Sequence, residues 1–209
     1  MGRLLLFFGT LILLTALCGG TAAVAAPVLA PIPALAVEML SHDCRGVMPA
    51  PKSEVIRDAA DHWLDKGDAL SDAGKLPEAL QAYTKAIETE PDYSDAYYSR
   101  ALAYDDLGDV ENAMKDYQKT IALNPNDACA HNNLAIDQQT IGETDQALAH
   151  FNEAITLDPK LATAYANRGD LYQELGHTAM AIEDYNSAIR LEPTNQDFRA
   201  GLAKIMESR

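Results

Sequence analysis

Basic residues are scarce in this chain of 209 residues: 16 Lys and Arg stand against 31 Asp and Glu, a formal net charge of -15. Such a surface repels phosphate backbones and anionic lipid, which argues against nucleic-acid binding and against charge-driven attachment to a membrane surface. It suits a basic or neutral partner. Long apolar runs are also missing. The longest, Leu4 to Leu17, is too short to span a bilayer. Cysteine occurs only at positions 18, 44 and 129, and neither Cys44 nor Cys129 stands in a nucleophile–base arrangement.

The signatures of chemistry are thin as well. The stretch Gly67 to Lys75, GDALSDAGK, has too wide a gap between its glycines, no Ser or Thr after the lysine and no preceding strand, so it does not form a phosphate-binding loop. The histidines, His42, His62, His131, His150 and His177, include no pair at i, i+4. The one local cluster, His42-Asp43-Cys44, falls in a linker. No nucleophile, base and oxyanion set can be assembled, so the expectation is no enzyme, no cofactor and no metal.

The N-terminus has the layout of a secretory signal peptide: Arg3, the apolar run, then small residues in GGTAAVAAP. Residues 1–25 form the expected signal, cut after Ala25, with Ala36 as a second candidate. An uncleaved segment would instead anchor the chain, the one route to a membrane. Exported to the periplasm or secreted, the chain would meet oxidising conditions in which Cys44 and Cys129 could pair; the alternative is a small buried hydrophobe in a helix. Residues 26–59 are a Pro/Ala-rich linker and the start of a first helix, with Ser53 as its expected cap.

What the sequence does have is repetition. Prolines fall at 91, 125, 159 and 193, at equal intervals. Gly74, Gly108, Gly142 and Gly176 precede them at one constant offset, Ala79, Ala113, Ala147 and Ala181 at a second, and the rings of Tyr83, Tyr117, Phe151 and Tyr185 at a third. Within each unit small and apolar residues recur at three- and four-residue intervals, the helical period. The glycine ends a first helix by entering the left-handed region cheaply, and the proline stops a second. Each unit is therefore a helix hairpin, and a hairpin that cannot bury its apolar face alone must stack.

The pattern resembles the tetratricopeptide repeat (TPR). Units 60–93, 94–127, 128–161 and 162–195 fit it, with Trp63, Gly67, Leu70, Ala79, Tyr83, Ala86 and Pro91 in the first and Tyr165, Gly169, Tyr172, Ala181, Tyr185, Ala188 and Pro193 in the fourth. The third departs most, with His131 and Gln138 at aromatic positions, which makes it the expected weak point. Residues 196–209 read as a capping helix, with Phe198, Leu202, Ile205 and Met206 on one face. The expected fold is all-α: a right-handed α-solenoid of four helix-hairpin repeats plus that cap.

The resemblance implies that the first helices line a concave groove and that it binds protein. Counting the groove positions onto this sequence names Asp61, Asp65, Asp68, Asp95, Tyr98, Leu102, Asn133, Ile136, Asn167 and Asp170 as candidate binding residues. Acids are the largest class at these positions, and Lys and Arg are absent from them. The expected ligand is an extended basic or neutral peptide or protein segment held by an exported adaptor, with structural self-association in the cell envelope as the alternative. Asn133 and Asn167 share one groove position, where an amide can donate to and accept from a peptide backbone. The tripeptide Arg168-Gly169-Asp170 matches an adhesion motif. It falls mid-helix, however, where residues two apart point about 200° from each other and cannot be presented together.

Overall fold

The alternation of helix formers with glycine and proline produces a run of hairpins. The computed structural model describes residues 50–207, with side chains from Val55 onward. The helices are α1 (Ala50–Asp72), α2 (Leu76–Thr89), α3 (Ser94–Asp106), α4 (Val110–Leu123), α5 (Ala128–Thr140), α6 (Thr144–Leu157), α7 (Ala162–Glu174), α8 (Thr178–Leu191) and α9 (Gln196–Glu207). No strand occurs among the described residues, and no described helix is long and apolar enough to cross a membrane. The expected signal segment, Cys44 and the His42-Asp43-Cys44 cluster lie outside the described residues.

Each first helix stops as the sequence requires. Gly74, Gly108, Gly142 and Gly176 all have φ between 71° and 81°. The next residue donates its N–H back into the last turn, as Glu143 does to the Gln138 carbonyl at 2.7 Å, so the final carbonyls of the helix are satisfied. Each second helix ends two residues before its proline. Helix α1 differs from expectation at its start: it runs from Ala50, so Ser53 stands within the helix and not ahead of it. Pro51 is accommodated there because a first-turn residue has no intrahelical N–H bond to lose.

Stacking follows from one contact repeated four times. The second-helix rings of Tyr83, Tyr117, Phe151 and Tyr185 are 4% exposed or less, and Ala79, Ala113, Ala147 and Ala181 beside them are fully buried. Burial of a ring of this size contributes roughly 2–3 kcal/mol. The rings lie against a small residue of the first helix. A Cβ added at Gly67 would stand 2.3 Å from the Tyr83 ring, and one at Gly169 3.0 Å from that of Tyr185. At the C-terminal end α9 buries Phe198 and Ile205 against the cluster around Tyr185 and Ala188. Met206, expected on that face, is exposed.

Two largely buried ion pairs, each within one unit, have an arginine that also reaches the unit before it. Arg100 grips Asp116 at 2.7 and 2.9 Å and donates to Thr84 of the first unit at 3.0 Å. Arg168 grips Asp184 at 2.8 and 2.7 Å and also bonds Asn152 of the third unit. Both clamps are forked guanidinium–carboxylate pairs, which suits their burial. The adhesion tripeptide is therefore dismantled: the Arg168 guanidinium is committed inside the stack, while Asp170 accepts a bond from Tyr185 elsewhere.

The third unit carries an unusual polar core. Its α5 buries His131, Asn132, Asp137 and Gln138. Gln138 donates to Gln146 at 3.0 Å, yet its own buried side-chain oxygen has no hydrogen-bond partner. His131 takes the aromatic position and meets His150 of α6, Nδ1 to Nδ1, at 2.9 Å. Its Nε2 lies 3.2 Å from the Pro125 carbonyl, which can only accept, so Nε2 carries the proton. Nδ1 of His131 is then the acceptor, and His150 donates. Cys129, half-buried near the start of α5, is disulfide-bonded, and no second cysteine is among the described residues.

Two expectations follow from these contacts. Replacing Arg168 with Ala strands the Asp184 carboxylate and should cost about 3 kcal/mol in denaturant unfolding, with Lys failing to restore the fork. Burial and the neighbouring His131 hold His150 below its ordinary 6.5, so the unfolded chain takes up the proton more readily. Stability from this pair is full above that value and lost as pH falls through it. The difference in melting temperature between the protein and a His150→Leu variant should therefore shrink on acidification; a constant difference would contradict the pairing.

Candidate peptide-binding groove

Helices α1, α3, α5 and α7, the first of each unit, carry the candidate groove residues, whose side chains fall into two groups. Some of the predicted acids are partnered from within. Tyr83 donates to Asp68 at 2.9 Å, Tyr117 to Asp105 at 2.5 Å and Tyr185 to Asp170 at 2.6 Å. The same rings that fill the core thus push a hydroxyl through to the groove wall. In the third unit the ring is Phe151, which has no hydroxyl, and the residue matching Asp170 is Ile136. Burial, then the adjacent carboxylates, raise the three tyrosines well above the usual phenol value, so they stay donors. Asp61 accepts from Tyr93 and pairs with Arg57 at 3.3 Å, while Arg57 stacks 3.8 Å from the Tyr93 ring centre.

Asp65 and Asp95 form the second group and are exposed. Asp95 accepts from the Ser94 hydroxyl at 3.2 Å. Leu102 and Ile136 are each 39% exposed, large apolar side chains on the inner row of α3 and α5. Tyr98 is half-buried, with its ring centre 5.8 Å from that of Tyr117, and burial raises its hydroxyl to about 12.

The amides make a chain that sequence reading missed. Asn167 donates to Asn132 at 3.0 Å, Asn132 to Asn133 at 3.0 Å, and Asn133 to the hydroxyls of Tyr98 at 3.2 Å and Tyr117 at 3.4 Å. It joins the second, third and fourth units. Both ends of the Asn133 amide are thus engaged within the wall. Ile136, Asn167 and Asp170 share a cavity of about 650 Å³ with Gln139, Thr140, Gln173, Glu174 and Lys204. Lys204 comes from α9 and Arg57 from the extra N-terminal turns of α1, both outside the repeat count, which is why the count found no cation. A search of every helix register flanking the stack would have found them.

Among the described residues no group of three or more His, Cys, Asp and Glu is placed to hold a metal ion. Removing the Tyr117 hydroxyl tests the wall. Tyr117→Phe leaves a covered oxygen of Asp105 without its donor and Asn133 without one acceptor, and should cost about 1–2 kcal/mol in thermal unfolding with the fold retained.

Comparison with known proteins agrees with this architecture. Family profiles described as tetratricopeptide repeat match residues 64–128 and 162–195, and one described as TPR repeat matches 141–176. No curated protein matches the chain in sequence. Among solved structures, MamA protein is 25% identical over 72% of this chain and 82% of its own, with a TM-score of 0.64. PilF of Pseudomonas aeruginosa is 21% identical over 73% and 70%, with a TM-score of 0.67. TTC0263, a thermophilic TPR protein of Thermus thermophilus, is 25% identical over 72% and 82%, at 0.61. With its hairpins, its glycine and proline punctuation and these matches together, the chain belongs to the tetratricopeptide repeat family and is an all-α TPR solenoid, a module for protein–protein interaction.

Proposed function

We propose that the chain is an exported adaptor whose inner groove holds an extended basic or neutral segment of another protein, and that it is no enzyme. The observation that carries this reading is that the first helices of the first three units expose both acids and apolar side chains: Asp65 and Asp95, Leu102 and Ile136. A cationic, partly apolar segment would meet attraction and burial together. Tyr98 and the amide chain supply polar edges. The internally bonded acids, Asp68, Asp105 and Asp170, keep the wall anionic without being free to rearrange. Arg57 and Lys204 stand at the two ends and would define where a basic guest stops.

Export rests on the N-terminal sequence alone. Self-association is the second reading, favoured by Leu107, Ile141 and Leu175, which recur at one position of the second, third and fourth units and are 41% exposed or more. Sedimentation separates it, because an adaptor of this kind is a monomer when dilute.

The binding experiment uses an acetylated peptide of Lys, Ala and Leu against its Glu counterpart, followed by fluorescence anisotropy. The basic peptide should bind better and weaken as salt rises. Asp65→Asn with Asp95→Asn should reduce its affinity about fivefold, each neutralised surface charge contributing on the order of 0.5 kcal/mol. Equal binding of both peptides at all salt concentrations counts against the groove reading.

A further inference from the structure

Where the second unit meets the third, two carboxyl groups face each other inside the wall. Asp105, near the end of α3, and Asp137 of α5 lie within hydrogen-bonding reach of one another. Asp137 is 5% exposed. Oδ2 of Asp105 is occupied by the Tyr117 hydroxyl. Oδ1 of Asp105 and Oδ2 of Asp137 are both buried and both lack any donor. Two ionised carboxylates cannot satisfy one another, since each oxygen only accepts.

We infer that Asp105 and Asp137 hold one proton between them, and that seating a cationic segment in the groove expels it. The second clause rests on the groove reading above.

A proton supplies what the geometry lacks: it turns one carboxyl into a donor and removes one of two buried like charges. The groups facing the pair offer no other compensation. From α4 comes the Tyr117 hydroxyl, itself held by Asn133 of α5. Beside Asp105 on α3 stands Asp106, which adds to the negative field. On Asp137 the neighbouring charge is that of Asp105. Burial, followed by that neighbouring charge, raises Asp137 to about 7, and burial raises Asp105 as well. Asp105 stands on the inner row, so ionising the pair adds one negative charge to the binding surface. A guest carrying Lys or Arg favours that ionised form, and by linkage its affinity must rise as the proton is lost.

The test uses the full chain labelled with 13C at aspartate carboxyls, titrated by NMR, and the acetylated Lys, Ala and Leu peptide, which has no histidine. A carboxyl resonance titrating at about 7 that vanishes in Asp137→Asn is the expected result. Peptide affinity should rise about threefold from roughly one pH unit below that midpoint to one above, and stay flat for Asp137→Asn, which keeps every histidine of the protein. If Asp137→Asn does not fold, Asp105→Asn is scored in the same way. Carboxyls that all titrate in the ordinary aspartate range would overturn the shared proton. So would a midpoint that moves when potassium is exchanged for calcium, because a cation would then occupy the gap. An affinity equally pH-dependent in protein and variant overturns the expulsion step alone. A peptide that fails to bind at any pH overturns the groove reading and the expulsion together, while the carboxyl titration still decides the proton.

Discussion

The structure depends on the close approach of a second-helix ring to a small residue on the first helix. Gly67 under Tyr83 and Gly169 under Tyr185 show how little room is left. That approach does more than fill space. It brings each tyrosine hydroxyl within reach of an acid on the far side of the first helix, so the core and the groove are built by the same side chains. Asp68, Asp105 and Asp170 are held by the packing that stabilises the repeat. Candidate groove and core therefore cannot drift apart: loosening a ring frees an acid.

Much of this was legible in the sequence because it follows from spacing. Glycine, proline, alanine and ring recur at one fixed interval, and the hairpins, their turns and their stacking contacts follow from how those residue types constrain backbone and volume. The inner row was named through the family resemblance alone; of its residues Leu102, Ile136, Asp65 and Asp95 stand exposed. Partnerships were not legible. Nothing in the spacing says that Asn133 is spent on Tyr98 and Tyr117, or that Tyr185 takes Asp170. Such bonds depend on side-chain reach across helices, and a one-dimensional count carries no reach. Arg57 and Lys204 escaped for a simpler reason, since they belong to no repeat.

The third unit shows what happens where the pattern lapses. His131 and Gln138 replace aromatic residues, and burial then demands partners for them. Histidine found one in His150, and glutamine half found one in Gln146. The unit is not simply weaker. Its polar core makes its contribution depend on acidity, through the histidine pair within the unit and the aspartate pair at its edge.

The two arginine clamps have a mechanical consequence. Arg100 fastens the second unit to the first and Arg168 fastens the fourth to the third, whereas Leu134 occupies the corresponding place in the third unit. The stack is therefore riveted in pairs. The middle seam has no arginine: there Leu134 packs with Ala101 and Tyr117, next to the amide chain and the carboxyl pair. A partner bound across that seam would join the two riveted pairs from outside, as a splint does.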